Sequence, residues 1–183
     1  MITEVLDEAR RKMEQAAEHV GSEFATVRTG RANPQILHRI SIDYYGTTTP
    51  LQQLASFSVP EPRLLVVQPF DKSSLPAIEK AIRASDLGLN PSNDGNLIRL
   101  AFPPPTEERR KELTKVVRHM AEEGRVAVRN VRRHSKDDIE VLKHEVSDDE
   151  IRRGEKELQD LTDKFIHKID ELLTGKEHEL AEV

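Results

Sequence analysis

Apolar residues in the first segment fall at Ile2, Leu6, Ala9, Met13, Ala16, Ala17, Val20, Phe24 and Val27. Steps of three and four put them on one face of a helix, with charged positions filling the rest. Gly30 follows as an expected C-terminal cap. A second long helix is predicted from Thr106, with Glu107 and Glu108 in a first turn where the helix dipole favours negative charge. Its seam reads Leu113, Val117, Met120, Gly124, Ala127, Val131 and Leu142. Ser147 and Glu150 form a capping box that opens a third helix. That helix carries Ile151, Gly154, Leu158, Leu161, Phe165, Ile169, Leu172 and Leu180 along its seam.

The pattern changes between these segments. All ten prolines lie from Pro34 to Pro105, so helix breakers are confined to the middle of the chain. Short alternating runs there predict strands over 39–44, 56–59, 63–68 and 96–102. Ser74 is an expected N-cap of a short helix over 74–85, with Pro76 in its first turn and Ile78, Ala81 and Ile82 facing inward. Asn93-Asp94-Gly95 signals a turn.

Narrow seams cannot be buried alone, and three of them packed together share one long core. The expected fold is α+β: an elongated antiparallel three-helix bundle (1–30 and 106–183) with an inserted small β/α/β domain (31–105). The chain crosses between the two parts near Gly30 and Arg31 and again at Pro103, Pro104 and Pro105, which makes these residues the expected hinge.

Composition narrows the chemistry. Aromatics are 4% of the 183 residues and charged residues 33%, a balance that suits long helices better than an aromatic-lined pocket. Cysteine is absent, which excludes disulfides and thiolate chemistry. The N-terminus is charged within a few residues, and no run reaches the roughly 18 apolar residues of a membrane span. A cytoplasmic, soluble monomer with no membrane contact is expected.

Net charge is -5, so nucleic-acid binding has to rest on local clustering. The second long helix supplies it. Ten Lys or Arg and three Glu lie between Arg109 and Lys136. Arg118, Arg125, Arg129, Arg132 and Lys136 are 7, 4, 3 and 4 residues apart, which stacks them within roughly 60° on a face expected to lie opposite the seam. A solvated helix face with internal ion pairs would carry such charges too. The predominance of arginine, including Arg133, favours phosphate, because guanidinium forks match phosphate oxygens. With few aromatics to stack on bases, the target is the backbone of folded RNA. Arg28 and Arg31 add a second basic point at the end of the first helix. The seven histidines show no metal-ligand spacing, and no nucleophile or phosphate-loop motif occurs, so neither metal, cofactor nor catalytic residue is expected.

Five ordered blocks, VRTGRANP (27–34), DYYG (43–46), SDLGLNPSNDG (85–95), PPTEERRKEL (104–113) and RVAVRNVRR (125–133), resemble the ribosome recycling factor family across essentially the whole chain. The resemblance implies an L-shaped, two-domain protein. It also implies binding to rRNA of the large ribosomal subunit after termination, and subunit separation with elongation factor G and GTP, without catalysis by the factor itself. Arginines matching Arg28, Arg31, Arg129 and Arg132 contact rRNA in that family, and the small domain swings on the hinge. Pro105 departs from the leucine common at its position. Two other classes are a helical adaptor for protein partners and a small carboxylate hydrolase.

Overall fold

The computed structural model describes residues 1–182, which divide into two compact units, 1–28 with 107–182, and 29–106. The first contains three helices, α1 (Ile2–Thr26), α3 (Glu107–Val141) and α4 (Asp148–Glu182). At 35 residues each, α3 and α4 are about 53 Å long at 1.5 Å per residue.

Large side chains build most of the bundle core. Leu6, Ala9, Met13, Ala17, Val20 and Phe24 of α1 are buried, as are Leu158, Leu161, Phe165, Ile169 and Leu180 of α4; both seams are the expected ones. On α4 the seam also takes in Thr162, whose hydroxyl donates to the Leu158 carbonyl at 2.8 Å. The capping box forms as expected, with Ser147 N–H donating to Glu150 Oε2 at 2.9 Å and Glu150 N–H donating to Ser147 Oγ at 3.2 Å. The Ser147 N–H, and then its hydroxyl at 3.1 Å, hold the Glu150 carboxyl below the usual carboxylate range.

The seam of α3 differs from the expected one. Its buried residues are Leu113, Val117, Ala121, Gly124, Val128, Ser135 and Ile139, whereas Met120, Ala127 and Val131 are only partly covered. Close approach explains the shift near the middle of α3, because Ala121 and Gly124 occupy the line where three helices meet and the larger Met120 is left at its margin. A Cβ at Gly124 would overlap Val20 Cγ2 and lie 3.3 Å from Ile169 Cδ1. At the other end, a Cβ at Gly154 would lie 2.8 Å from Ile2 Cγ2. These contacts place the start of α1 beside the start of α4, so α3 runs antiparallel to both. Gly30 is not the cap of α1. Val27 ends that helix in an extended conformation, its N–H bonded to the Phe24 carbonyl at 3.1 Å, and Gly30 sits further on at φ +83°.

The second unit has a hairpin, β1 (Ser41–Tyr44) with β2 (Thr47–Pro50), and an antiparallel sheet of β3 (Ala55–Glu61), β4 (Leu64–Pro69), β5 (Pro91–Asn93) and β6 (Ile98–Ala101) in the order β3-β4-β6-β5. Alternation buries Leu65 and Val67 on β4 and Ile98 and Leu100 on β6, against Leu75, Ile78 and Ile82 of α2 (Leu75–Ala84). Tyr45 and Gly46 make the two-residue hairpin turn at φ +49° and +82°, the conformation that matches strand twist. Ser74 makes no capping bond, and Asp71 caps the preceding 3-10 turn instead, accepting from Ser73 N–H at 3.0 Å. The 94–97 turn closes on Asp94, whose carboxylate accepts from Asn96 and Leu97 N–H groups at 2.9 Å each. Those bonds lower its pKa to about 2.

The glycines of the bundle yield opposite expectations. Gly124→Ala should lower stability by about 1–3 kcal/mol, since stiff, buried Val20 has little room to yield. Gly175→Ala, with nothing within 4 Å of the added methyl, should raise it by about 0.5–1 kcal/mol. Urea unfolding of both variants measures this, and a stabilised Gly124→Ala would contradict the close approach.

Candidate nucleic-acid interface

Seven-residue spacing on α3 decides where its arginines lie. Taken at 100° per residue, the stripe is about 90° from the observed seam, on the flank that borders α4, and not on the opposite side as expected. The cause is the seam's shift toward Ala121 and Val128; Arg125 and Arg132 stand next to these residues and are half-buried.

Arg118, Arg125 and Arg132, spaced by sevens, reach across to α4. Arg118 Nε donates to Glu177 Oε1 at 2.7 Å. Arg125 Nε donates to Asp170 Oδ1 at 2.8 Å, and its Nη1 to Glu122 Oε2 at 3.0 Å. Arg132 Nη1 donates to Gln159 Oε1 at 3.1 Å, and Gln159 in turn donates to Asp163 at 2.8 Å. Only 19% of the Arg125 side chain is exposed. Its burial pulls the pKa down, but the hydrogen bonds to Asp170 and Glu122 outweigh this and leave it raised. Arg132 Nε is shut off from solvent without a partner. These three side chains are rungs between helices as much as surface charges.

Arg129 and Arg133, further round the helix, and Lys136, in line with Arg118, are exposed. Arg129 Nη1 donates to Glu122 Oε1 at 3.3 Å, and Arg133 to the Asn130 side chain. Lys136, Arg28 and Arg31 are exposed and have no side-chain partner among the described residues. The Arg125 hydrogen bond, with the charges of Arg125 and Arg129, holds the Glu122 carboxyl below the usual range.

The structure thus brings Arg118, Arg125, Arg129, Arg132, Arg133 and Lys136 together on one flank. Arg28 and Arg31 lie on either side of the division between units. The site residues named from sequence leave out Arg110, which is half-buried where α3 begins and lines a groove of about 470 Å³ with Lys111, Lys115 and Arg118. Its Nε is buried without a partner. Its signal lay in the basic run at 109–111, but a periodicity anchored on Arg118 passes it by. Among the described residues, no cluster of three or more His, Asp or Glu could hold a metal ion, and no helix is long and apolar enough to cross a membrane.

Fold and site define an α+β protein with a helical unit that carries a cationic flank. Residues 20–180 match the family model of the ribosome recycling factor. The ribosome-recycling factors of Acidothermus cellulolyticus and Thermobifida fusca are each 56% identical to this chain over 185 aligned positions, covering all of both partners. A ribosome recycling factor solved in solution is 44% identical, with a TM-score of 0.73 over 100% of this chain and 98% of its own. A second similar structure is the T. thermophilus ribosome recycling factor, placed with E. coli elongation factor G on the E. coli post-termination complex. It is 49% identical, with a TM-score of 0.63 over 98% of each chain. The chain belongs to the ribosome recycling factor family.

The two kinds of arginine separate in stability. Arg125→Ala removes a largely buried side chain and the partner of Asp170, leaving Glu122 with Arg129 alone, and should cost about 1–2 kcal/mol, whereas Arg129→Ala should stay within about 0.5 kcal/mol of the parent. Equal unfolding midpoints for the two variants would contradict the rung assignment.

Proposed function

We propose that this protein is a ribosome recycling factor. It binds rRNA of the large subunit in a post-termination ribosome and, with elongation factor G and GTP, promotes separation of the subunits and release of mRNA and tRNA. Membership of a family of translation factors carries this reading. It gains weight from a relative bound together with elongation factor G on a post-termination complex. The protein acts in the cytoplasm as a monomer, and its part is binding, with GTP hydrolysis belonging to the elongation factor.

On this chain, the flank of α3 is the rRNA-binding surface. Arg129, Arg133 and Lys136 meet phosphates most directly, since they are exposed and held by few partners. Arg118, Arg125 and Arg132 extend the positive field from their places against α4, and Arg28 and Arg31 add a second contact. Phosphate binding by fixed guanidinium groups needs no base readout, which suits recognition of folded RNA by shape. Gly30, Arg31 and Pro103 to Pro105 form the hinge between the units. At φ +83°, Gly30 holds a conformation that other residues adopt at a cost.

Ribosome pelleting over a range of salt, followed by subunit splitting with elongation factor G and GTP, tests both parts. The Arg129→Ala/Arg133→Ala variant should bind large subunits more weakly, with a salt slope reduced by about two. A cross-link between the units, through two introduced cysteines in this cysteine-free chain, should leave binding intact and stop splitting. An unchanged salt slope would sink the interface, and full splitting by the linked protein would sink the hinge.

A further inference from the structure

We propose that Glu122 is a positioning residue that sets specificity: it fixes two arginines of the α3 flank so that folded RNA binds in preference to loose polyanions. This rests on the reading of that flank as the rRNA interface.

Glu122 is one carboxylate shared by two guanidinium groups, Arg125 at 3.0 Å through Oε2 and Arg129 at 3.3 Å through Oε1. Arg125 is held on its other side by Asp170 at 2.7 Å. The three charges on α3 therefore form a chain that continues onto α4, and each guanidinium keeps some of its N–H groups for another ligand. Such fixing has two effects on a phosphate ligand. Orientation is settled before binding, so RNA with phosphates at the matching spacing loses less side-chain freedom on docking. A negative charge amid the cations also weakens attraction for any phosphate that cannot reach those N–H groups, because a disordered chain senses mainly the summed field.

Simple helix support explains Glu122 less well. An exposed carboxylate that served only α3 would need one partner three or four residues away, as Glu123 has in His119 at 3.0 Å. Glu122 has such a partner in Arg125, three residues on, and also reaches Arg129, seven residues on, so it ties an arginine held against α4 to an exposed one that faces the proposed ligand. Glu123 is the natural control: it bears the same charge on a neighbouring residue, and it turns to another face of the helix.

Binding to isolated large subunits and to poly(U) is measured side by side for the parent, Glu122→Gln, Glu122→Asp, Glu123→Gln and Arg129→Ala. Glu122→Gln should tighten poly(U) binding about two- to fivefold, the scale of one exposed ion pair. Large-subunit binding should gain less, so the ratio between the ligands falls. Glu122→Asp keeps the charge and should restore much of that ratio, and Glu123→Gln should leave it at the parental value. Equal shifts of both ligands in Glu122→Gln and Glu123→Gln, with Arg129→Ala still impaired on large subunits, would overturn this proposal alone. Parental large-subunit binding by Arg129→Ala would overturn the interface and the proposal together.

Discussion

The closeness with which three helices meet at Gly124 fixes much of the rest of the bundle. A residue without a side chain lets Val20 of α1 and Ile169 of α4 reach the backbone of α3. This sets which side of α3 is buried. Once Ala121, Gly124 and Val128 face the core, the heptad-spaced Arg118, Arg125 and Arg132 must fall at the border with α4, where carboxylates and Gln159 receive them. Arg129 and Arg133 are carried one step outward, and Lys136 continues the line of Arg118. The electrostatic character of the flank is thus a consequence of core packing around Gly124, and the proposed interface requires no dedicated loop or pocket.

Legibility in the sequence follows side-chain size. On α1 and α4 large apolar residues mark the buried face, so counting their steps finds it. On α3 the same counting prefers Met120 to Ala121 and Ala127 to Val128, because each choice continues a regular alternation of three and four. The partners' proximity at Gly124 makes Ala121 the better core residue there, and the face it sets carries Val128 inward past Ala127. That local error moved the expected seam by less than a quarter turn and still changed the meaning of the stripe, from a free face to a flank half engaged with α4. In the smaller unit, β4 and β6 announce themselves by alternation. β2 is threonine-rich and β5 opens with Pro91, so both depend on pairing that no short pattern displays. Arg28, Arg31 and the flank were legible as charge, whereas the shared carboxylate of Glu122 needs coordinates to be seen.

An acidic protein that binds RNA has to confine its attraction. Here the net charge of -5 gives polyanions no general attraction, and the proposed contact through the cationic flank would act at the distance of a few ångströms, within the screening length of physiological salt. Intramolecular partners sharpen that confinement. Exposed ion pairs contribute little to folding, so phosphates can displace or join them at small cost, and the arginines are not left as a diffuse positive surface.

Hydroxyl-radical footprinting of large-subunit rRNA at saturating protein reads the contact between flank and phosphates itself. A discrete stretch of protected backbone is expected for the parent, with protection lost locally, and not across the whole footprint, when Arg129 and Arg133 are both alanine. Protection that is absent for the parent, or identical for the two proteins, would contradict it.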